Sequence, residues 1–185
     1  EDRINYLESF SVNQGIGSIL TEFGACFNSE ACYNEISTVT DIVDRYMTSW
    51  AYWMYKPFND FTTSCPDDKE GLFNKDGSVQ EYKIKALTRS YVQAFQGEGL
   101  SMQFDKVSKI LTFEMNVNFE INMPTIVYIN RELNYPNGYT LKVDQEGVET
   151  KVDDNDNYIQ IMMKNNSSEK IKRVKVTVIP NDHQI

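Results

Sequence analysis

Histidine is almost missing: His183, close to the C-terminus, is the only one. Nucleophilic catalysis of the Ser-His or Cys-His kind needs an imidazole beside the nucleophile, and a His-ligated metal usually needs more than one. Neither chemistry is supported here. No run of about 18 apolar residues occurs, so no segment reads as a membrane-spanning helix. Positive charge is scarce as well, with 18 Lys and Arg against 27 Asp and Glu and a net charge of −9. That balance argues against a nucleic-acid partner, which needs a basic face, and against a strongly anionic polymer substrate. A glycine-rich phosphate loop is lacking too, and nothing in the sequence implies a cofactor.

The chain opens on Glu1-Asp2-Arg3, with neither an initiator methionine nor a signal peptide. The expectation is that the true start lies upstream. Cysteines number three, an odd count. Cys26 and Cys32 bracket a short loop and could pair, which would leave Cys65 free or bonded to a segment outside this chain. The alternative is three reduced thiols in a cytosolic protein. Two overlapping sequons, Asn165-Asn166-Ser167 and Asn166-Ser167-Ser168, favour a secreted protein or one of the lysosomal or endomembrane lumen. Asn165 and Asn166 are then candidate glycosylation sites.

What is present reads as two regions. Ile4, Leu7 and Phe10 fall at helical spacing before Gly15 and Gly17 break the pattern. The apolar run Ser18-Ile19-Leu20 that follows, ending at Thr21-Glu22, has the look of a fully buried strand. From Glu35 on, Ile36, Val39, Val43 and Tyr46 mark an amphipathic helix, with Ser29 or Asn34 as its cap. An aromatic strand, Ser49 to Lys56, comes next, then a loop from Pro57 to Val79 of a length that usually serves function. Ile84, Leu87, Tyr91 and Phe95 predict a further helix stopped by Gly97 and Gly99.

After Gly99 the apolar period falls to two. Strands are expected at 102–104, 110–115, 125–129, 139–143, 148–152, 158–163 and 171–179, a pattern that fits an antiparallel β-sandwich. The domain expectation is therefore an α/β region at 1–97 and a β-sandwich at 98–185. Two parallel strands cannot close a sheet with both faces apolar, so the first region reads as the tail of a larger α/β domain.

Glu22 is the leading chemical candidate, because parallel α/β folds place their chemistry at the carboxyl ends of strands. The plain alternative is a solvated or ion-paired strand-end carboxylate. Trp53 could floor a sugar subsite and Lys56 could donate to hydroxyls at its rim; core packing is the plain alternative for the aromatic residues. Asn34-Glu35 is taken as a helix-capping pair. Asp153, Asp154 and Asp156 lack the glycine and distal glutamate of a calcium loop and read as a solvated turn, so no metal site is expected. Met162 and Met163 are expected to pack in the sandwich.

Thr-Glu-Phe-Gly at 21–24, one intervening helix, and Ser-Trp-Ala-Tyr-Trp-Met-Tyr-Lys at 49–56 together resemble the last two strands of the family 5 glycoside hydrolase barrel, in its endoglycoceramidase branch. Tyr-Pro-Asn-Gly-Tyr at 135–139 resembles the β-sandwich appended there. The resemblance implies the fold of a (β/α)8 barrel's strands seven and eight followed by that sandwich. It makes Glu22 the nucleophile of a retaining glycosidase, with Trp53 and Lys56 binding substrate. The substrate implied is a glycosphingolipid, cleaved between glycan and ceramide. The acid/base glutamate of the family is absent from this chain, so the implied partner is an N-terminal part carrying strands one to six, without which the chain is inert. A β-glucanase or β-glucosidase is the second expectation, and a non-catalytic carbohydrate-binding or structural protein the third.

Overall fold

The computed structural model describes residues 2–56, 69–166 and 168–181. The chain forms two compact units, Glu1–Thr88 and Arg89–Ile185.

The first unit opens with helix α1 (Asp2–Gln14), strand β1 (Ile19–Leu20) and helix α2 (Glu30–Arg45). Strand β2 (Ser49–Trp50) and helix α3 (Glu81–Leu87) complete it. Helix α2 begins at Ser29, whose hydroxyl accepts from the Cys32 amide at 3.3 Å and satisfies one of the free N–H groups of the first turn. Its buried side carries Cys32, Ile36, Thr40 and Val43, and the Thr40 hydroxyl is satisfied by donating to the Ile36 carbonyl at 3.0 Å. Asn34 and Glu35 therefore lie inside the helix, and the capping role expected of them belongs to Ser29.

Strands β1 and β2 pair in parallel, Ile19 beside Ser49 and Leu20 beside Trp50. Both are shorter than the sequence pattern suggests. Ile19 is 60 % exposed, against the expectation of a fully buried strand. The reason is plain in the topology: among the described residues β1 has one neighbour, so its other edge and part of its face are open. Past Trp50 the aromatic run leaves strand geometry, although Trp50 and Tyr52 still share a side. Of the long loop, residues 57–68 lie outside the described residues. The remainder is built, with Phe73 bridging Val79 and buried Lys83 donating to the carbonyls of Lys69 and Gly71.

Among the described residues, the second unit is a sandwich of eight antiparallel strands. They are β3 (Tyr91–Ala94), β4 (Gly97–Phe104), β5 (Leu111–Asn118), β6 (Thr125–Tyr128), β7 (Tyr139–Asp144), β8 (Val148–Asn155), β9 (Tyr158–Asn165) and β10 (Ile171–Pro180). A one-turn helix α4 (Arg131–Asn134) precedes β7. One sheet runs β4-β5-β10-β7 and the other β3-β6-β9-β8. Alternation does the folding work. Leu111, Phe113, Met115 and Val117 of β5 and Val174, Val176 and Val178 of β10 point inward, meeting Val127, Ile159, Ile161 and Met163 from the facing sheet. Met163 is core as expected, whereas Met162, one residue earlier, is only half-buried.

The helix predicted through Phe95 ends at Leu87. Val92 is needed on the inner face, and Tyr91 pairs with Tyr128, so tertiary pairing overrides the three-and-four spacing. Gly97 and Gly99 are not helix stops. A Cβ on Gly97 would lie 2.1 Å from the Asn116 carbonyl oxygen, so glycine there permits close strand approach. The boundary expected after residue 97 accordingly falls between Thr88 and Arg89.

Candidate active site

Because β1 and β2 run parallel and in register, with the Ala51 amide donating to the Leu20 carbonyl at 2.8 Å, both chains leave the pair at the same end. Glu22 lies two residues beyond Leu20 and Trp53 three beyond Trp50. The carboxyl ends of adjacent parallel strands are where such folds gather their reactive groups.

Glu22 is exposed and makes no hydrogen bond or ion pair with the described residues. Its neighbours are held firmly. Phe23 meets Trp50 and Tyr52 edge-on, each at 5.6 Å between ring centres. Gly24 has a φ of +90°, and a Cβ there would sit 2.4 Å from a Tyr52 ring carbon, so both the backbone and the space require glycine. The Gly24 carbonyl accepts from the Tyr52 hydroxyl at 3.2 Å and from the Cys26 amide at 2.8 Å. Burial pushes the Tyr52 phenol well above its usual range, and the charges of Glu70 and Glu35 push the same way, so it remains a donor.

Cys26 and Cys32 form a disulfide across six residues of sequence. Cys65 and His183 lie outside the described residues.

Trp53 is 39 % exposed, and its peptide bond to Met54 is cis. The Met54 amide donates to the Glu70 carbonyl and the Leu72 amide to the Tyr55 carbonyl, which pins the segment carrying Trp53. Tyr55 packs edge-on against Phe73 at 5.2 Å. The Lys56 ammonium sits over both rings, 5.8 Å from the Tyr55 centre and 5.1 Å from Phe73. Sequence reasoning missed this second layer of Phe23, Tyr52, Glu70 and Phe73. Only Gly24 signalled it, as a glycine placed where the chain must turn close to an aromatic ring.

The remaining candidates separate cleanly. Asp153 and Asp154 belong to strand β8 rather than to a turn, and Asp154 accepts from Tyr139 and pairs with Arg131 at 3.0 Å. No cluster of three or more acidic, His or Cys side chains suited to a metal occurs among the described residues.

Residues 89–178 match the glycoside hydrolase family 5 C-terminal domain, starting where the second unit starts. The chain is 32 % identical over 130 residues to an endoglycoceramidase of Hydra vulgaris, a match covering 69 % of this chain and 24 % of that protein. A second endoglycoceramidase, from Cyanea nozakii, is 26 % identical over 128 residues, covering 69 % of this chain and 25 % of the relative. The second unit is a glycoside hydrolase family 5 C-terminal domain, and the chain is similar to the C-terminal portion of endoglycoceramidase-type members of that family.

Among solved structures, endo-glycoceramidase II from Rhodococcus sp., captured as a lactosyl-enzyme intermediate, superposes with a TM-score of 0.66 at 20 % identity. The match covers 90 % of this chain and 33 % of that one. At that identity the likeness establishes the fold. The first unit has the fold of the closing strands of a (β/α)8 barrel, and the second that of the appended sandwich. The chain spans about a quarter of the length of the curated relatives it matches.

Proposed function

We propose that the protein containing this chain is a retaining glycosidase that cuts the β-bond between the glycan and ceramide of glycosphingolipids, with Glu22 as its nucleophile. The observation that carries this reading is the exit of Glu22 and the Trp53 segment from one end of two paired parallel strands. The endoglycoceramidase relatives support the substrate class, and the captured lactosyl-enzyme form of the Rhodococcus protein supports a covalent route.

In this route Glu22 attacks the anomeric carbon from one face of the sugar. A second carboxylic acid about 5–5.5 Å away protonates the leaving oxygen and later activates water. That second group belongs to the upstream part of the protein, so this chain alone is inert. The exposed indole of Trp53 receives the apolar face of the pyranose, and Lys56, steadied over Tyr55 and Phe73, donates to hydroxyls at the rim.

The full-length protein is expected to release intact oligosaccharide from a glycosphingolipid in micelles. Its kcat/KM should exceed that on a soluble β-glucan or an aryl β-glucoside by at least about 100-fold, as befits a site that also binds the lipid. Preference for the soluble substrates would instead assign a β-glucanase or β-glucosidase. Glycan binding without hydrolysis of any of the three would assign a non-catalytic role.

A secretory or lysosomal address follows from the same reading, supported by the Cys26–Cys32 disulfide and the paired sequons. Asn166 is exposed, its side-chain amide donating to Glu149, whereas Asn165 is half-buried and its side-chain amide donates to the Glu169 carbonyl. Peptide mapping of protein from a eukaryotic secretory host should therefore find the glycan on Asn166. An unmodified Asn166 would overturn that assignment.

A further inference from the structure

We infer that the Cys26–Cys32 disulfide and Tyr52 act together as a positioning clamp that aims Glu22, so that full activity requires the closed disulfide. The inference rests on the reading of Glu22 as the nucleophile. Regular pairing ends at Leu20. Beyond it the strand end carrying Glu22 passes through Gly24, the residue with the freest backbone, held here at a φ of +90°. Nothing in a two-residue strand fixes the carboxylate's direction, so the fastenings that follow must do so. They are the Phe23 ring between Trp50 and Tyr52, the Tyr52 hydroxyl on the Gly24 carbonyl, and the covalent bond from Cys26 to α2.

The far end of the disulfide is itself rigid. Cys32 is 1 % exposed, packs with Ile36 and Ala86, and donates its amide to the Ser29 cap. Opening the bond would leave Gly24 as a hinge two residues from the attacking oxygen. A catalytic group must be held within about 0.5 Å and 10–20° of its working geometry. A misplacement near 1 Å costs on the order of 100-fold.

The test uses the full-length enzyme and a 2-deoxy-2-fluoro-β-glycosyl fluoride. On the nucleophile a C–O bond forms at the anomeric carbon, the C–F bond breaks, and fluoride leaves with the electron pair. The ring fluorine slows hydrolysis of the adduct, so label accumulates. Wild-type enzyme should be labelled at Glu22. The Cys26→Ser/Cys32→Ser double variant should be labelled roughly 10- to 100-fold more slowly at saturation, with little change in the concentration giving half-maximal rate. Tyr52→Phe should slow labelling several-fold without breaking any covalent link.

Reduction and reoxidation of wild-type enzyme should lower and restore the rate, while leaving a folded double variant unmoved. That reversibility, with circular dichroism unchanged, is a response general destabilisation would not give. Labelling of the double variant at the wild-type rate overturns the clamp alone. If the double variant does not fold, unchanged rates in both reduced wild-type enzyme and Tyr52→Phe overturn it equally. Wild-type enzyme labelled at another residue, or not at all, removes the nucleophile assignment and the clamp with it.

Discussion

Glu22→Gln in the full-length enzyme is expected to lower kcat by about 10⁴-fold or more, the scale on which removing a covalent nucleophile acts. Glutamine keeps the shape and the hydrogen-bonding reach of the side chain, so the affinity for glycan should change little. What it loses is the negative charge that makes the carboxylate oxygen nucleophilic enough to form the glycosyl bond. Because Glu22 makes no ion pair with the described residues, its neutralisation breaks no partner and should leave the melting temperature within a degree or two.

The companion variant Glu22→Gly separates the two carboxylate roles. With an activated glycosyl donor, azide should enter the vacated space, attack the anomeric carbon and yield a product of inverted configuration. A product of retained configuration would make Glu22 the acid/base instead. Glu22→Gln with near-normal turnover would remove it from the chemistry altogether. The measurements are steady-state kinetics on a glycosphingolipid, isothermal titration with the free glycan, and proton NMR of the azide product.

The residues of the candidate site can be picked out in the sequence, but the contacts that support them cannot. Thr21 to Gly24 and Ser49 to Lys56 are short, chemically unusual strings, and a carboxylate ending an apolar run can be read without coordinates. The ring of Phe23 between Trp50 and Tyr52 could not be read in the same way. That contact depends on the register of two strands separated by a whole helix, and register is a tertiary quantity. The Cys26–Cys32 pairing was open for a similar reason: spacing allowed it, but only the position of the first turn of α2 brings the two sulfurs together.

Fold reading succeeded where one face is buried and failed at the seam. All seven expected strands of the sandwich exist, because a half-buried antiparallel strand must alternate. The eighth, Tyr91–Ala94, carried apolar residues at positions that also suit a helix continuing from Ile84 and Leu87. A short apolar stretch of that kind satisfies both periods, and only its pairing with β6 decides. Glycine misled for a related reason. Gly97 and Gly99 punctuate a helix in sequence but serve close packing in the sheet, where the Phe95 ring lies against Gly99.

Gln96 is the residue whose weight the sequence concealed most, and its replacement carries the second large expected effect. It joins β3 to β4 and is almost wholly buried, at 1 % exposure. Its side-chain amide donates to the carbonyls of Ile121 and Met163, each at 3.0 Å, and accepts from the Met163 amide at 2.9 Å. Its own backbone amide donates to Thr125, and its carbonyl accepts from Asn118. One side chain thus ties the β3–β4 junction to the end of β9 and the loop before β6.

Gln96→Leu keeps the volume but strands three backbone groups, the two on Met163 buried and the Ile121 carbonyl half-buried. Each unpaired group costs about 1–3 kcal/mol, partly offset by the transfer of leucine from water, so a net loss of roughly 3–5 kcal/mol is expected. For a unit of this size that corresponds to a fall in melting temperature of more than about 10 °C. Hydrogen exchange at the Met163 amide should accelerate in step, because the same bond protects it. Calorimetry and exchange on the intact chain give both readings. A melting temperature within about 2 °C of wild type, with the Met163 amide still protected, would mean that the sandwich closes without this clip.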